Sequence, residues 1–242
     1  METEENFFDT RCPFCGETVA YPQSAAGYVR ECINCLEDFI VPEPGTAAAR
    51  TIPIPITTER LTLRRFTVDD LDALLTLSAD EEFFLHVKGS EADRERTVSQ
   101  WLDHQSKAKL TSPQMFHLAI ATRDGGKLIG NIAIGIYEGV QASLEIELHR
   151  DFRRQGFALE AVDAMLGFCF ETLKLHRVTA NCDSSDAAAC GLFDRAGMRR
   201  EGEAIKNCRL PDGSWRNTAT FAALEEEYLG TEEAPAADGA KE

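Results

Sequence analysis

The chain's most specific chemical signal is four cysteines near its start. The segment "CPFCGETVAYPQSAAGYVRECINC" places Cys12, Cys15, Cys32 and Cys35 in a C-x2-C-x16-C-x2-C pattern. Each Cys-x-x-Cys turn aims two thiolates at one point, and two such turns complete a tetrahedron around a structural zinc ion. Gly16 suits the tight turn of the first knuckle, whereas Leu36 holds that place in the second. "ETVAYP" and "GYVRE" are expected to pair as a short hairpin between the knuckles. So short a segment buries little apolar surface and needs a staple. Zinc supplies roughly 10–16 kcal/mol of apparent binding energy in small fingers. Two separate redox dithiols are the other reading of the same spacing.

A second signal is "FRRQGFALEA", residues 152–161. Here Arg153, Arg154, Gln155, Gly156, Phe157 and Ala158 stand where a predicted strand gives way to a predicted helix. A helix N-terminus offers unpaired N–H groups and a partial positive charge. Gly156 lets a ligand approach the backbone closely and small Ala158 keeps the next turn clear, so the stretch reads as a phosphate cradle. An ordinary helix start with stray arginines is the alternative. Just upstream, Glu145 and Glu147 lie two apart on one face of a strand, where they could accept a proton directly or through water. A solvated acidic face explains them equally well. The five histidines are scattered without ligand spacing and are assigned to core or surface.

The elements that must hold these groups follow from periodicity. "RLTLRRF" alternates as a strand. "TVDDLDALLTLSAD" opens with Thr67 and Asp70 in capping-box-like spacing and continues as a helix. "DRERTVSQWLDHQSKAKL" is a second helix. "MFHLAIATR", the turn "DGG" and "KLIGNIAIGIY" form a hairpin, and "ASLEIELH" a further strand. Residues 153–174 read as one amphipathic helix, with Val162, Met165, Leu166, Cys169, Phe170 and Leu173 on its apolar face. The strand "RVTANC", the helix "DAAACGLFDRAG" and two strands near 199–209 and 214–224 follow. The order β-α-α-β-β-β-α-β-α-β-β predicts a mixed α/β domain with helices on a sheet.

Composition narrows the function. The 242 residues carry a formal net charge of −16, and 43% are hydrophobic. Such a charge disfavours non-specific nucleic-acid or anionic-membrane binding. Residues 1–44 hold two arginines and no lysine against nine acidic residues, so the cysteine-rich segment would make few phosphate contacts. The acidic start resembles neither a signal nor a transit peptide, and no apolar run suggests a membrane span. A cytoplasmic protein is expected.

The pieces "TERLTLRRFTVDDLDALL", "RRQGFALEA", "LKLHRVTANCD", "RAGMRREGE" and "DGSWRN", in this order over residues 57–224, resemble the GNAT acetyltransferase family. They are most similar to the branch that includes the RimJ and RimL ribosomal-protein N-terminal acetyltransferases. The resemblance implies a sheet splayed like a V between the domain's fourth and fifth strands, with acetyl-CoA entering the V. Its pyrophosphate would rest on backbone amides from Arg153 to Ala158, and its pantetheine would bond the strand at 144–148, Leu148 included. A backbone N–H on that strand would polarise the thioester. The acceptor amine would attack directly, with Glu145 or Glu147 as base, and Phe83, Phe84 and His86 lie in the loop that often lines the acceptor site. A gapless match places the family's usual acidic residue of this strand at Ser143. The family's usual Asn, Ala or Ser, and Tyr after the fifth strand are here Asp186, Ala189 and Phe193, with Asp186 near the CoA path. No hydroxyl remains there to protonate the leaving thiolate.

The expected organisation is a zinc-ribbon-like domain over 1–41, a proline-rich linker over 42–56, a GNAT domain over 57–229 and a disordered acidic tail over 230–242. The expected function is acetyl-CoA-dependent N-acetyl transfer to a primary amine, with the ribbon docking a protein substrate or partner. A catalytically weak acyl-CoA sensor or scaffold is the alternative.

Overall fold

A computed structural model describes residues 6–46, 49–80, 90–210 and 212–230. Phe83, Phe84, His86 and the predicted tail beyond Gly230 lie outside the described residues.

The cysteine-rich segment forms β1 (Phe7–Arg11), β2 (Thr18–Pro22), β3 (Val29–Glu31) and β4 (Asp38–Ile40). β1 pairs with β2 and β3 with β4, so the hairpin expected between the knuckles does not form. Each knuckle is instead the turn of its own hairpin. The reason is local reversal. Gly16 and Leu36 both adopt positive φ, 77° and 61°. Gly16 N–H donates to Cys12 O at 3.1 Å and Leu36 N–H to Cys32 O at 2.8 Å. The chain therefore folds back on itself at each pair of thiols. Within the residues expected as linker, β5 (Arg50–Thr51) adds a third strand beside β4, and Ala49 packs into the ribbon's own apolar cluster around Phe39 and Val41.

Beyond it run β6 (Ile56–Thr57), β7 (Leu61–Arg64), α1 (Leu71–Leu77), α2 (Glu91–Ser106), β8 (Phe116–Thr122), β9 (Leu128–Tyr137), β10 (Gln141–Leu148), α3 (Phe157–Gly167), β11 (Arg177–Asp183), α4 (Ala187–Arg195), β12 (Arg199–Arg209), β13 (Trp215–Leu224) and α5 (Glu225–Leu229). From β7 on, this is the predicted order, with α5 added. The eight strands join in the order β12-β13-β11-β10-β9-β8-β7-β6. The Thr67–Asp70 capping box forms, and Arg64 grips the same carboxylate with two nitrogens at 2.7 and 2.8 Å. This ties β7 to the start of α1.

The sheet has two unlike faces. Phe116, Leu118, Ile120, Ile132, Ile134, Leu144, Val178 and Phe221 turn towards α3 and α4 and form the main core. Val162, Met165, Leu166, Cys169, Phe170 and Leu173, the predicted apolar stripe, are all fully buried in it. Each large apolar side chain so placed contributes roughly 1.5–3 kcal/mol. The helix itself is shorter than the predicted 153–174. It starts at Phe157, and after Gly167 it widens into a π turn over Phe168–Thr172. The other face carries His117, Asn131, Ser143, Glu145 and Glu147; α1 and α2 cover it around Ala119 and His117, and Glu145 is exposed.

The ribbon is docked on this domain. Val29 and Ile40 join the main core cluster. Asp38 accepts from Thr111 Oγ1 at 2.7 Å and from Thr111 N at 3.2 Å. Lys109 pairs with Glu31 at 2.7 Å and also donates to Leu36 O in the second knuckle.

Candidate functional site

The sheet opens where its parallel pair parts. β10 and β11 run side by side from Gln141/Arg177 to Leu144/Ala180, and pairing stops there. β10 continues through Leu148 with only β9 beside it among the described residues. His149 N–H donates to Ile129 O. By the alternation of an antiparallel ladder, residues 145 and 147 then also face β9, while 144, 146 and 148 turn their N–H and C=O groups towards β11. Past the fork, the backbone of Ile146 and Leu148 thus faces the open cleft. Leu148 O already accepts from Arg153 Nε at 2.9 Å. Gly130 permits the close β9–β10 approach here, since a Cβ on it would lie 2.1 Å from Glu147 O.

At the mouth of the cleft, residues 153–156 form a loop rather than the predicted first helical turn. Arg154 and Gly156 adopt positive φ, 62° and 83°, a region costly for an L side chain and natural for glycine. Gly156 is the residue just before α3. The Arg153–Ala158 amides therefore bracket a helix N-terminus, the geometry in which backbone N–H groups hold an anion.

Arg60 braces this loop from 95 positions upstream, a residue that sequence reasoning passed over. Its guanidinium donates to Gln155 O at 2.9 Å and to Glu160 at 2.6 Å, and lies 4.4 Å from the centre of the Phe157 ring. Glu160 also accepts from Thr58 Oγ1 at 2.5 Å and Arg60 N at 2.7 Å. Burial pushes the Glu160 carboxyl up, but these hydrogen bonds outweigh it and hold it below the usual carboxylate range. Gln155 closes the loop by donating to Asp151 O at 2.7 Å.

Asp186 stands on the other arm of the cleft. Its carboxylate accepts from Ala188 N at 2.9 Å and Ala189 N at 3.0 Å, so it caps α4. Phe193 is sealed in the core against Phe221, ring centres 5.5 Å apart. Cys182 and Cys190, eight residues apart and read as scattered thiols, come together at 3.6 Å across β11 and α4. Burial, then the neighbouring thiol, pushes Cys182 up to about 12.

Glu145 and Glu147 lie on the polar face, opposite Ala133 and Asn131 of β9. Glu145 is the first residue beyond the fork and is exposed. In its row, across the small side chain of Ala133, stands His117 of β8. The His117 Nδ1 meets Asn131 Oδ1 at 2.9 Å, and the Trp101 ring of α2 meets the imidazole edge-on at 5.4 Å. Burial pushes the His117 pKa below its ordinary value, against the opposing pull of Asn131 and Glu145.

The four ribbon cysteines form a separate centre. Cys12 and Cys35 sulfurs lie 3.7 Å apart, and Cys15 and Cys32 3.8 Å. All four ligand atoms fall within 4.8 Å of one another. A tetrahedral zinc with Zn–S bonds of about 2.3 Å has S–S edges of about 3.8 Å. The two S–S edges of 3.7 and 3.8 Å match that geometry, and the four thiols are clustered as such an ion requires.

Residues 60–199 match the family profile described as the Acetyltransferase (GNAT) domain. The chain belongs to the GNAT acetyltransferase family and is an acyltransferase of the N-acetyltransferase type. Its relatives include an uncharacterized N-acetyltransferase, YnaD of Bacillus subtilis (strain 168). That protein is 29% identical over 178 residues, spanning 72% of this chain and 98% of the relative. Among solved structures, a GNAT-family acetyltransferase from Bacillus anthracis shares the fold with a TM-score of 0.58 at 24% identity, over 71% of this chain and 98% of that one. A candidate ribosomal-protein-serine acetyltransferase from Vibrio cholerae is 26% identical, with a TM-score of 0.55, over 72% and 99%.

Proposed function

We propose that the protein transfers the acetyl group of acetyl-CoA directly to a primary amine, either a protein N-terminus or a small amine. The observation that carries this reading is the coincidence of fork and cradle. Leu144/Ala180 ends the parallel pairing, and the Arg153–Ala158 loop sits beyond the end of the same strand, β10. A pyrophosphate held by the amides of Arg153, Arg154, Gln155, Gly156, Phe157 and Ala158 would send the pantetheine along the open edge at Ile146 and Leu148. Asp186 lies on the opposite wall as the cap of α4. The thioester would then reach the fork beside Glu145, with Glu147 one row on.

The reaction needs the amine neutral and the carbonyl polarised. A cleft-facing N–H of β10 suits the second task and the polar face around Glu145 and Glu147 the first. The similarity to the Vibrio cholerae candidate, described as a ribosomal-protein-serine acetyltransferase, favours a protein acceptor, in keeping with the RimJ/RimL-like resemblance. The ribbon, as a structural zinc module at Cys12, Cys15, Cys32 and Cys35, would dock a protein substrate or partner. Thiol-rich metal ligation and strong net negative charge suit a reducing, cytoplasmic setting.

A catalytically weak acyl-CoA sensor is the second reading. Ala189 and the sealed Phe193 favour it, since neither can protonate a thiolate. One experiment separates the two. Purified protein is given acetyl-CoA with seryl and alanyl tripeptides, spermidine and an amino sugar, and free thiol release is followed. Amine-dependent release supports the transferase. Tight acetyl-CoA binding in calorimetry without release to any amine supports the sensor.

A further inference from the structure

The polar face beside the fork contains a pair that the transferase reading does not account for. His117 and Asn131 lie within a layer otherwise made of Phe66, Leu74, Val98, Leu102 and Ala119. Asn131 is 4% exposed. Two polar side chains in such a layer cost stability unless they bond one another, and they do so between neighbouring strands. The bond has chemical content. The Asn131 Oδ1 can only accept, so His117 Nδ1 must donate. The neutral imidazole is thereby held as the tautomer whose Nε2 is basic.

Register places this imidazole with respect to Glu145. His117 pairs with Ala133, and Ala133 with Glu145. Two strand spacings separate them, roughly 9.5 Å between Cα atoms. Both side chains rise from the same face, on either side of the Ala133 methyl group. Among the described residues, the titratable groups acting on the imidazole are Glu145 from β10 and His104 from α2. Trp101 walls it from α2.

We propose that the acceptor binds over this face as a cationic ammonium, held by Glu145, and that His117 Nε2 receives its proton. The inference rests on the amine-acetylation reading and names the acceptor's charge state and the proton's destination. The ammonium N–H bond breaks and the proton passes, through water, to Nε2. The freed nitrogen lone pair forms the C–N bond to the thioester carbonyl. The C–S bond then breaks, and a second proton from that nitrogen goes to the CoA thiolate. Imidazolium returns the first proton to solvent. Burial lowers the His117 pKa and so favours the neutral, proton-accepting imidazole, while the Glu145 carboxylate favours the charged form.

The test is the pH profile of His117→Asn, whose amide can still donate to Asn131 but offers no ring nitrogen. Spermidine and a seryl tripeptide serve as acceptors. For the acceptor that the wild type uses, kcat/KM should fall about 10²–10⁴-fold at pH 7. The deficit should shrink above the acceptor amine's pKa, where no proton needs removing, and acetyl-CoA affinity should be unchanged. A deficit equal at every pH, or a wild-type profile, overturns the proposal. Should the variant not fold, NMR titration of the His117 ring in wild type and Glu145→Gln decides. Loss of the carboxylate should lower the midpoint, and an unchanged midpoint overturns the proposal. If the wild type binds acetyl-CoA yet acetylates neither acceptor nor any amine tried, the transferase reading fails first and takes the proposal with it. That failure is distinguishable because it appears before any substitution is made.

Discussion

Arg60 and Glu160, a hundred positions apart, join in a salt bridge of 2.6 Å at the start of α3. The pair does for the cradle what no local interaction does. It fastens the loop's Gln155 carbonyl, the Phe157 ring and the first helical turn to the strand that opens the sheet. Glu160 is mostly buried and Arg60 partly exposed, so the bridge is screened on one side only.

The bridge should be pH-dependent. The Glu160 carboxyl is held below the usual carboxylate range when folded. Its contribution is therefore complete above the unfolded pKa and lost as pH falls through the folded one. Glu160→Gln should cost about 1–3 kcal/mol at pH 7, and the difference from wild type should shrink as pH falls through the lowered folded-state pKa. Urea denaturation at neutral pH and in acid measures it. A difference that persists undiminished in acid would show that the carboxylate charge is not the source.

Gly156 separates strain from charge. At φ 83°, Gly156→Ala should lose about 1–2 kcal/mol from backbone conformation alone, with a Cβ 3.2 Å from Arg60 Nη2. Gly156→Glu should suffer the same strain and also abolish acetyl-CoA binding, because its carboxylate would stand where a pyrophosphate belongs. Calorimetry on the two variants checks this. Equal affinity in both would remove the cradle from the mechanism.

The ribbon should hold one equivalent of zinc on Cys12, Cys15, Cys32 and Cys35. Stripping it should lower the melting temperature and free those thiols to react. Elemental analysis and thiol titration of protein purified without chelators provide the measurement. Four freely titratable thiols and no zinc would sink the assignment.

Restoring the family hydroxyl should fail here. Phe193 is 4% exposed and packed on Phe221. Phe193→Tyr would bury an unpartnered hydroxyl at a cost of about 1–3 kcal/mol, with kcat unchanged. A rate increase would mean that the introduced hydroxyl reaches the cleft.

Much of this architecture could be read from the sequence, because its signals are periodic and local. The spacing of Val162, Met165, Leu166, Cys169, Phe170 and Leu173 marks a buried face whether the backbone is α-helical or widens to a π turn. Alternation locates β8, β9 and β10. Partners are another matter. "ETVAYP" and "GYVRE" have strand character, but chain reversal at Gly16 and Leu36 decides what each pairs with. Periodicity alone starts α3 four residues early, at 153 rather than Phe157, because nothing in an arginine announces a positive φ at Arg154. His117 reads as one of five scattered histidines, since its row with Ala133 and Glu145 exists only after three strands pair. Arg60 lies inside a recognisable motif, yet its target is on another element entirely.

The seam between ribbon and catalytic domain has a practical consequence for anyone trimming the chain. Val29 and Ile40 belong to the same apolar cluster as Leu110, Leu173 and Leu175, and Thr111 and Lys109 direct their polar groups into the ribbon. A protein begun at residue 57 would keep the fork and the cradle intact. It would also bare a greasy patch with two polar side chains robbed of their counterparts. Such a fragment should be sticky, elute early from a sizing column and precipitate on concentration, while the parent chain stays dispersed.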